Sequence, residues 1–177
     1  MSLDTIMLIS FGYFEKELLE VIARDVEHEF GFPVKIRDGR LDLSDFYDPA
    51  RRQYDGNRLL REIDLNFGHD SVKTLGIFNV DLFIPILTYI FGQAFLNGHS
   101  GIASIYRLSN ERYGLKPDLA VMTDRIRKEA IHELGHTFGL LHCHYHDCVM
   151  RSSTYVEDID QKGIHLCSNC RDALSKQ

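Results

Sequence analysis

Two rhythms of apolar positions run along the chain and predict a mixed order of strands and helices. Ile6 to Phe11 is a nearly continuous apolar run, as expected of a strand buried on both faces. From Phe14 to Phe30 the apolar residues recur at Leu18, Leu19, Ile22, Val26 and Phe30, which is helical spacing. Gly31 follows, where a helix C-terminus favours glycine. Phe32 to Ile36 reads as a second short strand. Together these pieces predict a βαβ unit with parallel strands and a right-handed crossover.

Further on, Asp48-Pro49 opens a turn, and Asn57 to Phe67 has the spacing of a helix that buries Leu59, Leu60, Ile63 and Phe67. Leu75 to Val80 and Gly101 to Leu108 read as strands, while Leu82 to Leu96 fits strand or helix equally. Gly101 to Leu108 is also the candidate edge strand for pairing with an extended peptide, with an interior position as its alternative. From Gly139 onward the chain turns polar and turn-rich and holds all four cysteines. The expected fold class is α+β (mixed α/β), a twisted sheet with flanking helices and a small C-terminal lobe needing a staple other than a core. One domain spanning 1–177 is expected, with lobes of about 1–139 and 140–177.

Composition narrows the partners. The formal charge is −6, from 20 basic and 26 acidic residues, which argues against a nucleic-acid partner. Arg51, Arg52, Arg58 and Arg61 are interleaved with Asp55 and Glu62 and read as a solvated helix face. Leu82 to Tyr106 carries no formal charge, yet Pro85, Gly92, Gln93, Asn97 and Gly98 interrupt it well short of the ~20 apolar residues a membrane span needs. The stretch Met1-Ser2-Leu3-Asp4 lacks the basic start of a signal peptide. A monomer in the cytoplasm, with no membrane partner, is expected, and there cysteines are more often metal ligands than disulfides.

The central chemistry lies in His132-Glu133-Leu134-Gly135-His136-Thr137-Phe138-Gly139-Leu140-Leu141-His142, which reads HExxHxxGxxH. Histidines four apart on a helix lie one turn and about 40° apart, so both imidazoles can reach one ion. Glu133 is offset enough to act on a water at that ion rather than to ligate it. Ile126, Ala130, Ile131, Leu134 and Phe138 share one helix face, with His132 and His136 nearly opposite. An ordinary core histidine would sit inside that apolar arc. His142 would lie roughly 240° around and about 9 Å further along if the helix continued. Gly139 can take a positive φ, end the helix and let the chain double back. Three histidines with an open fourth position are the pattern of a catalytic zinc site.

Cys143, Cys148, Cys167 and Cys170 form C-x4-C and C-x2-C pairs, the spacing of a structural zinc site. Two disulfides, or a redox-active C-x2-C, are the alternatives, and His144, His146 or His165 could replace one thiolate. His142 and Cys143 are adjacent. In extended chain their side chains point to opposite sides, so each could face its own ion.

The HExxHxxGxxH string with a later methionine is the metzincin pattern. The joined run His142-Cys143, Cys148-x-Met150 and Cys167-x-x-Cys170 resembles the archaemetzincins, a compact branch of that clan. Asp81-Leu82-Phe83-Ile84-Pro85 and Arg107-Leu108 resemble the family too, so the likeness covers most of the chain. It implies a zinc metallopeptidase acting on peptide or protein substrates. Two zinc ions are implied, one catalytic on His132, His136 and His142 and one structural on Cys143, Cys148, Cys167 and Cys170. Glu133 would be the general base, and Met150 would sit in a tight turn beneath the site. Relatives in eukaryotes are described as aminopeptidases. Some metzincins carry a tyrosine two residues after that methionine; here the position is Ser152, with Tyr155 nearby. The alternative function is a zinc-stabilised peptide-binding or regulatory protein without activity, against which the retained Glu133 speaks.

Overall fold

The computed structural model describes residues 3–176; Met1 and Ser2 of the N-terminal stretch considered above lie outside them. The chain opens with β1 (Thr5–Phe11), α1 (Lys16–Phe30) and β2 (Val34–Gly39), with β1 and β2 parallel as the sequence predicts. Gly31 caps α1 in the left-handed conformation at φ 74°. Next come β3 (Tyr47–Asp48), β4 (Gln53–Asp55) and α2 (Gly56–Phe67), whose N-terminus is capped by Asp55 accepting from Arg58 N. Arg51, Arg52, Arg58 and Arg61 are all exposed, but only Arg58 and Arg61 lie on a helix; Arg51 and Arg52 lie in the turn between β3 and β4. The order continues with β5 (Val72–Phe78), β6 (Leu82–Phe83), β7 (Gly92–Ala94), β8 (Ser100–Ser104), α3 (Leu119–Thr137), α4 (Val156–Gln161) and α5 (Ser168–Leu174).

The main sheet runs β2-β1-β5-β8-β7, and β3-β4-β6 form a small second one. The first four strands of the main sheet are parallel, and β7 closes one edge antiparallel to β8. The two-residue period of a strand sorts its side chains between two layers. Ile6, Leu8, Leu75, Ile77 and Ala103 pack with α1 and α3, while Ile9, Phe11, Phe78 and Ile102 pack with α2.

Of the two places open to the 101–108 strand, edge and interior, the structure takes the interior one. The segment read as 101–108 forms the shorter β8, which lies inside the sheet between β5 and β7. The edge is β7, three residues of the stretch left open between strand and helix. Its shortness explains why periodicity could not find it. The C-terminal segment also differs from the core-poor lobe expected. Leu140, Val149, Met150, Val156, Ile159 and Leu166 are buried in the same cluster as the sheet and α3. Among the described residues no helix is long and apolar enough to cross a membrane.

Candidate metal centres

α3 carries the HExxH string. Asp118 caps its start by accepting from Val121 N. At its end Gly139 takes φ 77°, with Leu140 N bonded to Gly135 O and Gly139 N to His136 O, both at 2.9 Å. This is the Schellman arrangement, and it turns the chain back as the sequence predicts. The ligand atoms of His132, His136 and His142 then lie within 4.8 Å of one another. The Nε2 atoms of His132 and His136 are 3.2 Å apart. A tetrahedral zinc with Zn–N bonds of about 2.0–2.1 Å sets its nitrogens roughly 3.3–3.4 Å apart, so the pair fits such an ion.

Two carbonyls fix how these rings present themselves. His132 Nδ1 lies 2.9 Å from Val149 O, and His136 Nδ1 lies 2.8 Å from Leu140 O. A carbonyl only accepts, so each Nδ1 carries the hydrogen and each Nε2 offers its lone pair to the shared point. Burial holds His132 well below the usual imidazole pKa, helped by the nearby Lys162 charge. Burial lowers His136 and His142 as well. All three rings are therefore neutral near pH 7, as metal binding requires.

Glu133 stands beside them in a cleft of about 730 Å³, lined also by β7. A Cβ on Gly92 would come within 2.7 Å of Glu133 Oε1, so glycine at the sheet edge is what allows the carboxylate to lie against it. Burial pushes the Glu133 carboxyl well above its ordinary range, and the nearby Glu129 adds to the effect. Leu87 and Leu96 line the cleft from the β6–β7–β8 side, and Leu141, Ser152 and Tyr155 from the C-terminal side. Tyr155 is 63% exposed.

The four cysteines converge separately. Cys143 and Cys167 sulfurs are 3.7 Å apart, as are those of Cys148 and Cys170. A disulfide would need about 2.05 Å, whereas Zn–S bonds of about 2.3 Å in a tetrahedron place sulfurs roughly 3.8 Å apart. Burial raises the Cys148 and Cys170 thiols, while at Cys167 burial is outweighed by hydrogen bonds from the Cys170 backbone and the neighbouring thiols, which lower it; a cation would favour the thiolate form at the two raised positions. His165 is turned to Glu29 instead, while His144 and His146 are exposed. Met150 is fully buried, and a Cβ on Gly135 would overlap its sulfur. Gly135 thus lets the methionine turn press on α3 between the two helix histidines.

Sequence reasoning missed five of the residues that shape these centres. Gly92 lay in the unassigned stretch. Glu129, Lys162 and Glu29 act through partners far away in the chain, which local patterns do not register. Gly135 had a usable signal, since glycine inside a helix is disfavoured by about 1 kcal/mol relative to alanine.

Comparison with known proteins agrees with the geometry. Residues 5–176 match Peptidase family M54. The archaemetzincin of Pyrococcus furiosus is 34% identical over 98% of this chain and 94% of its own length. That of Haloquadratum walsbyi is 42% identical over 72% of this chain and 75% of its own. The crystal structure of archaemetzincin from Methanopyrus kandleri superposes with a TM-score of 0.85 at 30% identity, covering 98% of this chain and 94% of that one. With two side-chain clusters that could each hold a metal ion assembled on this fold, the chain belongs to peptidase family M54, the archaemetzincins, which are zinc metallopeptidases.

Proposed function

We propose that the chain is a metzincin-type peptidase that hydrolyses peptide bonds at the three-histidine centre, with Glu133 as general base. The observation that supports this best is the convergence of three neutral imidazoles in a cleft that also holds Glu133 and an unpaired sheet edge. His132, His136 and His142 would hold the catalytic zinc, and Cys143, Cys148, Cys167 and Cys170 a second, structural one. A set of four unbonded thiols suits the reducing cytoplasm. The catalytic ion, when bound, supplies Lewis-acid activation of a water and of the scissile carbonyl.

The rest of the chemistry belongs to the chain. The free edge of β7 pairs with an extended substrate by β-addition, which lays the peptide along the cleft. The carbonyls of Val149 and Leu140 keep the His132 and His136 rings from rotating. Glu133 takes the proton of the attacking water. It then delivers that proton to the nitrogen of the leaving amine. The aminopeptidase activity described for eukaryotic relatives would require a free substrate N-terminus, which a screen with blocked and unblocked peptides would detect.

Glu133→Gln keeps the shape and cannot accept a proton. Peptide hydrolysis should fall by at least about 100-fold, the lower range of general-base contributions, with metal content unchanged. Hydrolysis at the parent rate would remove Glu133 as the base. Equal peptide binding by parent and variant, with no cleavage by either, would favour the binding-protein alternative.

A further inference from the structure

Behind the histidines α3 carries a buried charge that hydrolysis does not use. The Lys162 side chain is 0% exposed and its partner Glu129 4%. The ammonium donates to Glu129 Oε1 at 3.1 Å and to the Arg151 carbonyl at 3.2 Å. It also stands 3.5 Å from His132 Nδ1, whose hydrogen is already committed to Val149. As a source of stability such a pair is poor, because desolvation offsets most of the attraction. Two apolar side chains would fill the same space. What they could not do is hold acceptors on two separate elements, α3 and the turn that contains Met150.

We propose that Lys162 is a positioning residue of the three-histidine centre, tying Glu129 to the Arg151 carbonyl so that the Val149 carbonyl stays in place to orient His132. The proposal rests on the reading that these histidines hold the catalytic ion. Arg151 follows Val149 by two residues, and the intervening Met150 is seated against Gly135. Glu129 lies three residues before His132, on the same stretch of α3. Fixing Arg151 O to Glu129 therefore sets the gap between turn and helix across which the Val149–His132 bond is made. With that tie released the imidazole can rotate, and loss of such orienting partners typically weakens metal binding by 10–100-fold.

Cobalt(II), exchanged into the full-length protein, reports the two centres separately. Thiolate ligands give intense charge-transfer bands, and the histidine site gives weaker d–d bands. Lys162→Met removes the tie but leaves a lone buried Glu129. The double variant Glu129→Met with Lys162→Met removes both charges together. In both, the thiolate bands should remain, the d–d bands should shift, and cobalt affinity at the histidine site should fall about 10–100-fold. Parent affinity and unchanged d–d bands in the double variant would overturn the proposal. So would loss of the thiolate bands, which would make Lys162 a residue of the whole fold. If the parent itself took up no cobalt at the histidines, the metal-centre reading would fall first and this proposal with it.

Discussion

On the sheet side of α3, Ile126, Ala130, Ile131 and Leu134 meet the strands and α1 in apolar contact. On the other side the apolar contacts of Val149, Met150 and Ile159 are joined by directed polar ones. Arg125 grips Asp160 through two bonds of 2.7 and 2.8 Å, Lys128 donates to the Ile159 carbonyl, and Glu129 meets Lys162. From α1, Glu29 accepts from Leu166 N at 2.8 Å and from Arg171, and lies 2.9 Å from His165 Nδ1. Apolar burial is non-directional and tolerates small shifts. Hydrogen bonds to charged groups fix angles as well as distances. The region that must aim a histidine is accordingly held by directed bonds and a cysteine cage.

The largest effect is expected at the four cysteines. Cys170→Ser should release the ion proposed for them and cost at least about 3 kcal/mol, because metal binding contributes folding free energy. For a chain of this size that is roughly 6–12 °C in Tm. Hydrogen exchange should then rise across 140–174 while β1 and β5 stay protected. Equal loss of protection in both regions would erase the distinction drawn here.

A smaller effect is expected from a pair of variants, one on each side of α3. Ile22, fully buried against the sheet, should cost about 2–5 kcal/mol as Ile22→Ala without altering zinc affinity in a competition titration. Glu29→Ala leaves the buried Leu166 N–H without its acceptor, a loss of about 1–3 kcal/mol, because Arg171 and His165 are half exposed and can turn to water. This less destabilising variant should be the one that releases zinc more readily. The reverse ranking in zinc retention would contradict the division of labour.

The mildest test uses pH. Burial holds the folded-state pKa of His132, His136 and His142 below the ordinary value of 6.5. In chelator-treated protein the unfolded chain therefore takes up protons first. Stability should be full above about pH 7 and should fall as pH drops through 6.5 towards the folded-state pKa values. Ile22→Ala should show the same slope from a lower starting point. A flat profile between about pH 7.5 and 5.5 would show that the rings are not held neutral by the fold.

Much of the sheet side could be read from the sequence. The run Ile6 to Phe11, the spacing from Leu18 to Phe30 and the glycine at 31 each act locally, so pattern alone located β1 and α1. Gly139 was legible for the same reason, as were the histidine and cysteine spacings. The polar side was not. Glu29 meets residues 165, 166 and 171, and Glu129 meets Lys162, across distances in sequence that no window spans. The three-residue β7 is too short to show alternation, so pattern alone leaves 101–108 open between an edge and an interior place.

The adjacency of His142 and Cys143 bears on how a disturbance at one cluster reaches the other. A single peptide unit joins the two side chains, and Cys143 N donates to Met150 O at 3.0 Å. The residue before Met150 supplies the carbonyl that orients His132. A shift of the cysteine loop therefore displaces His142 directly and His132 through its carbonyl partner. A chain damaged only at its cysteines would keep the HExxH helix whole and still offer its three imidazoles no common point.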